Sequence, residues 1–193
     1  MHPSTGVNDL KGLIALAKSK PGELNYASTG VGTAPHLSGE LLGQRAGVKI
    51  QHVPYKGSPE AATDLLAGRV AMMFSPASAV VAQAKAGNLN VLATATGKRL
   101  GILPDVPTMA EAGMQDFETS IWFGLVAPAG TPKPIVDKLA KAAAEATSTP
   151  EVIKAWEPQG ILALSGGPDD FARHIAAESK RWGDVAVAAG LKK

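Results

Sequence analysis

The residues able to do chemistry gather in one stretch, Asn25-Tyr26-Ala27-Ser28-Thr29-Gly30-Val31-Gly32-Thr33-Ala34-Pro35-His36-Leu37. An extended piece, Leu24 to Ala27, enters a loop of small residues. A helix follows at once, with Pro35 in its first turn. Gly30 and Gly32 permit a tight turn and let a ligand come close to the main chain. The helix start offers unpaired N–H groups and the positive end of a dipole. Ser28, Thr29 and Thr33 add hydroxyls, and no Lys or Arg falls within the loop. This composition suits an anion held by neutral donors, a carboxylate above all.

Two other readings of the loop stand beside that one. It could be a plain strand-to-helix turn, or a nucleotide site. A dinucleotide fingerprint needs Gly-x-Gly-x-x-Gly and an acid at the tip of the next strand. Here the third glycine position is Pro35, and the next apolar run, Val48 to Pro54, contains no acid. No Gly-Lys-Ser/Thr follows either.

Two more loops fall at the ends of predicted strands, where open α/β sheets bind ligands. In Val53-Pro54-Tyr55-Lys56-Gly57, Tyr55 can line a pocket and give its hydroxyl, while Lys56 points to solvent. Phe74-Ser75-Pro76-Ala77-Ser78 opens a second helix with small residues. His36 lies in the first turn of the cradle helix, where the dipole disfavours a cationic ring. It is expected to support the loop or touch the ligand as a neutral imidazole. The candidate ligand-binding set is therefore Ser28, Thr29, Gly30, Val31, Gly32, Thr33, His36, Tyr55, Ser75 and Pro76.

Catalytic chemistry finds no foothold. The histidines His2, His36, His52 and His174 have no metal-ligand spacing. His52 is expected as a packed strand residue with one nitrogen satisfied, and His174 on a solvated helix face. Asp169-Asp170 is an adjacent pair suited to capping, since neighbouring helix residues do not face each other. Gly-x-Ser-x-Gly is missing, and there is no cysteine. No catalytic residue, metal or cofactor is expected.

Composition agrees. The chain has 193 residues, 45% of them hydrophobic, with 19 basic and 17 acidic side chains. The charges are spread evenly, which leaves no basic face for nucleic acid or anionic lipid. Lys192 and Lys193 are expected as a solvated tail. No apolar run approaches the roughly 18 residues of a membrane helix.

Periodicity predicts alternating elements. Helix 7–20 stops at Pro21-Gly22. Strand 24–28, the cradle helix to Gly47, strand 48–53, a helix from an Ser58-Pro59 cap to Gly68, strand 70–74, helix 76–86 and strand 89–94 follow. Short loops between them imply a parallel sheet covered on both faces. A connection with one short helix from Thr108 leads to a long strand, 117–126. Helices from Thr131-Pro132 and Thr149-Pro150, a short strand near 160–164 and a helix from Pro168 to about Ala188 complete the chain.

Four ordered motifs, PGELNYASTGVGTAPHLSGELL, HVPYKGSPEAATDLLAGRVAMMF, LPDVPTMAEAG and WFGLVAPAGTP, resemble the Bug (TctC-like) receptors of tripartite tricarboxylate transporters. The resemblance implies a periplasmic-binding-protein-like α/β fold with one complete lobe, residues 5–117. Residues 118–193 would be a crossover strand and the C-terminal part of a second lobe, whose leading segment lies ahead of Met1. It further implies an extracytoplasmic receptor for a small carboxylate, serving the membrane subunits of a tripartite carrier. A ligand-presenting co-sensor for a membrane kinase is the alternative, and a nucleotide-dependent oxidoreductase a more remote one. The parent would be periplasmic, with its export signal upstream. Members of the family often carry an acid near Ser75. Its absence here argues against an amino-acid ligand, whose ammonium would need a counter-ion. An incomplete second lobe would make 118–193 a place for homodimerisation or domain swapping.

Overall fold

The computed structural model describes residues 1–164 and 166–191. The Lys192-Lys193 tail lies outside the described residues.

Three parallel strands form the sheet, in the order β2-β1-β3: β1 (Asn25–Ser28), β2 (Gln51–Pro54) and β3 (Met72–Met73). Register sets Ser28 beside Pro54, and Ala27 beside Met73. The central strand is buried on both faces, and its alternation separates two cores. Tyr26 points into the larger one, with Leu41 and Leu42 of α2 (Ala34–Ala46) and Leu10, Leu13 and Ala17 of α1 (Leu10–Ser19). Ala27 points into the smaller one, with Ala61 and Leu65 of α3 (Ser58–Leu66). The helices thus lie on opposite faces, as right-handed crossovers to opposite sides of β1 demand. This is the α/β sandwich that the periodicity implies.

Gly39 sits within α2, where glycine costs about 1 kcal/mol against alanine. It is there for space: a Cβ at that position would be driven into the Tyr26 ring.

Departures from expectation concern strands. Residues 48–50 lie outside the ladder, between α2 and β2: Val48 N–H donates to Gly43 O, with Gly47 in the left-handed region (φ 62°) capping the helix. Run 70–74 contributes only Met72–Met73, because Ala71 N–H is taken by the Asn25 side chain at 2.7 Å. Run 89–94 forms no ladder with the sheet. Its one bridge joins Thr94 to Thr108, and Asn90 pairs with the Met1 backbone. Thr108 and Glu111 exchange capping hydrogen bonds, but the expected helix ends as isolated turns before Gly113 (φ 97°).

Neither 117–126 nor 160–164 is a strand. Thr119 N–H still reaches Ala95 O (3.0 Å). Beyond it the chain has no ladder partner among the described residues.

The later helices are α4 (Ala77–Lys85), α5 (Lys133–Thr147), α6 (Pro150–Trp156) and α7 (Pro168–Ala188). Thr149 caps α6, accepting from Val152 N–H at 3.4 Å, and Asp170 accepts from Gly167 N–H at 3.0 Å at the start of α7. Two expected caps differ. Gly57 precedes α3, so Ser58 is already helical, and Pro132 precedes α5. The last turns of α7 return to the first core, where Val185 is buried and Trp182 packs beside it. No described helix is long and apolar enough to cross a membrane.

Candidate functional site

The chain leaves β1 at the point where its neighbours diverge, β2 to one side and β3 to the other. Such a switch point opens a crevice at the strand ends. The 28–33 loop fills this place. Tyr55 N–H donates to Ser28 O (2.9 Å), which ties the second loop to the first. Ser75 and Pro76 follow β3, so the register sets all three predicted loops at the same end of the sheet.

Gly30 (φ 132°) and Gly32 (φ 79°) occupy backbone regions that side chains avoid. A Cβ at Gly32 would meet nothing, so glycine is required there for conformation and not for room. Internal hydrogen bonds fix the loop. Gly30 N–H donates to Ser28 Oγ (3.1 Å), Thr33 Oγ1 donates to Gly30 O (2.7 Å), and Gly32 N–H donates to His36 Nδ1 (3.0 Å). Val31 and Ala34 N–H groups have no protein acceptor among the described residues. They lie at the start of α2, whose first turn holds no acid.

Several predicted contacts are placed differently from their expected use. Ser28 is fully buried, and its Oγ lies 2.6 Å from His52 Nε2 and 3.1 Å from Gly30 N and O, so it organises the loop from within. The Tyr55 hydroxyl donates to Asp64 Oδ2 (2.7 Å), a carboxylate also held by Arg69 (2.7 Å). The Arg69 and Tyr55 hydrogen bonds keep Asp64 below its usual pKa, while burial pushes the Tyr55 phenol up. The Tyr55 hydroxyl is thus engaged within the chain, and its ring packs against the smaller core. Thr29 and Thr33 are half-buried, Val31 is exposed, and the Ser75 Oγ turns back to Pro76 O at 3.4 Å.

Beneath the loop lies a cluster assembled from three elements. The His36 and His52 rings stack with centroids 3.8 Å apart, and Tyr26 stacks on His52 at 5.1 Å. Tyr26 OH donates to Glu40 Oε1 (2.7 Å), which lies 3.7 Å from His36 Nε2. Burial holds both imidazoles below their ordinary pKa. Glu40 opposes this at each ring, and His36 reinforces it at His52. Burial and the Glu40 carboxylate push the Tyr26 phenol well up. The loop-supporting role expected of His36 and the one satisfied nitrogen expected of His52 are both present. Their meeting, and the parts of Glu40 and Tyr26, were not foreseen. The His36–Glu40 spacing of four on α2 was a usable signal.

Two hollows, one beside His2, Leu66 and Asn88 and another beside Asn8, Lys85 and Leu103, lie away from the loop. No group of acids, histidines or cysteines among the described residues could hold a metal ion.

A glycine-rich loop at the switch point of a parallel α/β sheet lies where such folds bind their ligands. The description "Tripartite tricarboxylate transporter family receptor" (TctC) matches residues 1–191, and the chain belongs to that family. Protein BugT of Bordetella pertussis is 38% identical over 191 residues, 99% of this chain and 59% of BugT. Among solved structures, an R. palustris protein with adipate is 38% identical at TM-score 0.80, over 95% of this chain and 62% of that one. MatC from Rhodopseudomonas palustris with bound malate is 31% identical at TM-score 0.73, over 95% and 64%. The periplasmic binding protein BugD is also 31% identical at TM-score 0.73, over 97% and 63%. The chain spans little more than half the length of two of the curated relatives it matches, 54% of a Pseudomonas protein and 59% of BugT.

Proposed function

We propose that this chain is the ligand-binding lobe of an extracytoplasmic receptor for a small dicarboxylate, without catalytic activity of its own. The observation that carries it is the 28–33 loop: free amides, a helix start and no cation, at the sheet's switch point. Relatives solved with adipate and with malate support a dicarboxylate as the guest. β2 ends at Pro54 with no acid at its tip, which speaks against a ribose site. Delivery to the membrane subunits of a tripartite carrier, and a periplasmic location, are supported by the family and by BugD. In this reading residues 5–117 form the ligand lobe. Residues 118–193 belong to a second lobe, with α7 docking back onto the first.

A hydrogen bond to a charged group contributes about 1.5–3 kcal/mol, and a helix start roughly 0.3–1. Two or three such donors, less the cost of association, give roughly millimolar affinity from this loop alone. A second wall is needed for tight binding.

The test is a thermal-shift and NMR titration of the chain with mono-, di- and tricarboxylates, adipate and malate among them. Dicarboxylates should raise the melting temperature and move the amide signals of residues 29–34. A response confined to monocarboxylates, or shifts that avoid the loop, would sink the reading.

A further inference from the structure

The loop rests on His36, and His36 can do its work in one protonation state only. Gly32 N–H donates to Nδ1 at 3.0 Å, so that nitrogen must be bare and the ring proton sits on Nε2, facing Glu40 at 3.7 Å. A second proton would set N–H against N–H and remove an anchor of the loop. His52 differs. Its Nε2 lies 2.6 Å from Ser28 Oγ, and serine can accept there while donating to Gly30 O at 3.1 Å, so this contact survives either state. What His52 does is stack on His36 at 3.8 Å, where two cations would repel.

Taking the 28–33 loop as the carboxylate site, we propose that His36 is a positioning residue that holds this loop as a neutral acceptor, so that ligand capture weakens as His36 takes up a proton.

The surroundings are consistent. β1 presents Tyr26, whose hydroxyl goes to Glu40, and β2 presents His52. On α2 itself Glu40 is the one group that favours a cationic ring. The start of the same helix disfavours it. α7, packed on α2, brings Trp182 and Val185 to the core, and its Glu178 and Arg181 pair with each other at 3.3 Å. Burial keeps both rings on the neutral side of their usual balance. A protonated His36 would also attract an anion through its charge. That pull is undirected and acts from behind the loop, whereas the lost anchor moves the donors themselves.

Two measurements on the full chain test this. In the first, the nitrogen-15 signals of the imidazoles are followed with pH. His36 should show the Nε2–H tautomer at about pH 7.5, and the Gly32 amide signal should move with the His36 titration. An Nδ1–H tautomer, or a Gly32 signal indifferent to that titration, overturns the proposal. This arm needs no ligand.

In the second, adipate is titrated at about pH 7.5 and about pH 5.5 into wild type, His36→Asn and His36→Gln. Wild-type affinity should fall roughly tenfold per pH unit once His36 titrates. Asn keeps an acceptor near the Nδ1 position and takes up no proton. It should weaken adipate a few-fold and lose the His36 part of the slope, leaving only the titration of adipate itself. Gln puts its amide near the Nε2 position and should lose roughly tenfold or more at the higher pH. Tighter wild-type binding on acidification, or equal slopes in wild type and His36→Asn, refutes the proposal. If wild type binds no dicarboxylate at either pH, the functional reading fails, and the tautomer arm still decides whether His36 holds the loop.

Discussion

Single atoms decide what the cradle can do. Gly32→Val places a branched side chain at φ 79° with nothing to clash against, so its cost is conformational, about 1–2 kcal/mol. At Gly30 (φ 132°) the same change enters a region more nearly exclusive to glycine and should cost more. Urea denaturation of the two variants should rank them in that order. Ser28→Ala is expected to act on stability, because it strips Gly30 N–H and His52 of a buried partner, at about 1–3 kcal/mol. A Ser28→Ala protein of wild-type stability that binds carboxylates poorly would mean the hydroxyl touches ligand after all. The positive-φ glycines were legible in the sequence, because they depend on neighbours a few residues away. The targets of the Ser28 and Tyr55 hydroxyls were not. His52 is 24 residues from Ser28, and Asp64 is nine from Tyr55 on the next helix. Only the folded register brings them within reach.

Among the elements, helices were more readable than strands for a related reason. A helix satisfies its own backbone, and its stops are written locally, as at Gly47 and Gly190. A strand exists only beside a partner, so the apolar runs 89–94, 117–126 and 160–164 signalled burial or extension without a ladder to join. Helix α7 shows the converse, since its sequence gave no hint of where its last turns would dock. Val185→Ala removes two buried methyl groups and should cost about 2 kcal/mol. Val187→Ala, at a position 58% exposed, should stay within about 0.5 kcal/mol. Equal effects in chemical denaturation would mean that α7 does not dock as described. The three-element cluster of Tyr26, His36 and His52 has its own signature. Both imidazoles have folded pKa values depressed below the unfolded value, so the unfolded chain binds more protons in the intervening window. Stability from this cluster is therefore complete above about pH 6.5 and is lost as pH falls through the folded values. Denaturation midpoints of wild type and of His36→Asn should converge on acidification. Parallel curves would show the cluster to be silent.

For the molecule as a whole, the segment after Thr119 is decisive. Residues 119–132 contain no charged side chain. The chain passes over α7 here. Trp122 packs against Phe171 and His174 of α7 at 5.6 and 4.8 Å, and a Cβ at Gly124 would strike the Phe171 ring. Ile121, Phe123, Leu125 and Val126 are exposed, Phe123 at 92%. The backbone of this segment has no ladder partner among the described residues, so exposed apolar side chains and unpaired amides are offered together. That combination templates further strand pairing. A polypeptide of these 193 residues is therefore expected to self-associate through this segment at tens of micromolar. Leu125→Lys adds a charge among these exposed side chains, and should shift sedimentation toward monomer while leaving the unfolding midpoint of the sheet unchanged. Hydrogen exchange should show residues 119–128 protected only at concentrations where the larger species forms. Uniform protection of this segment in a compact wild-type monomer would contradict the account, since the amides would then have found partners within the chain.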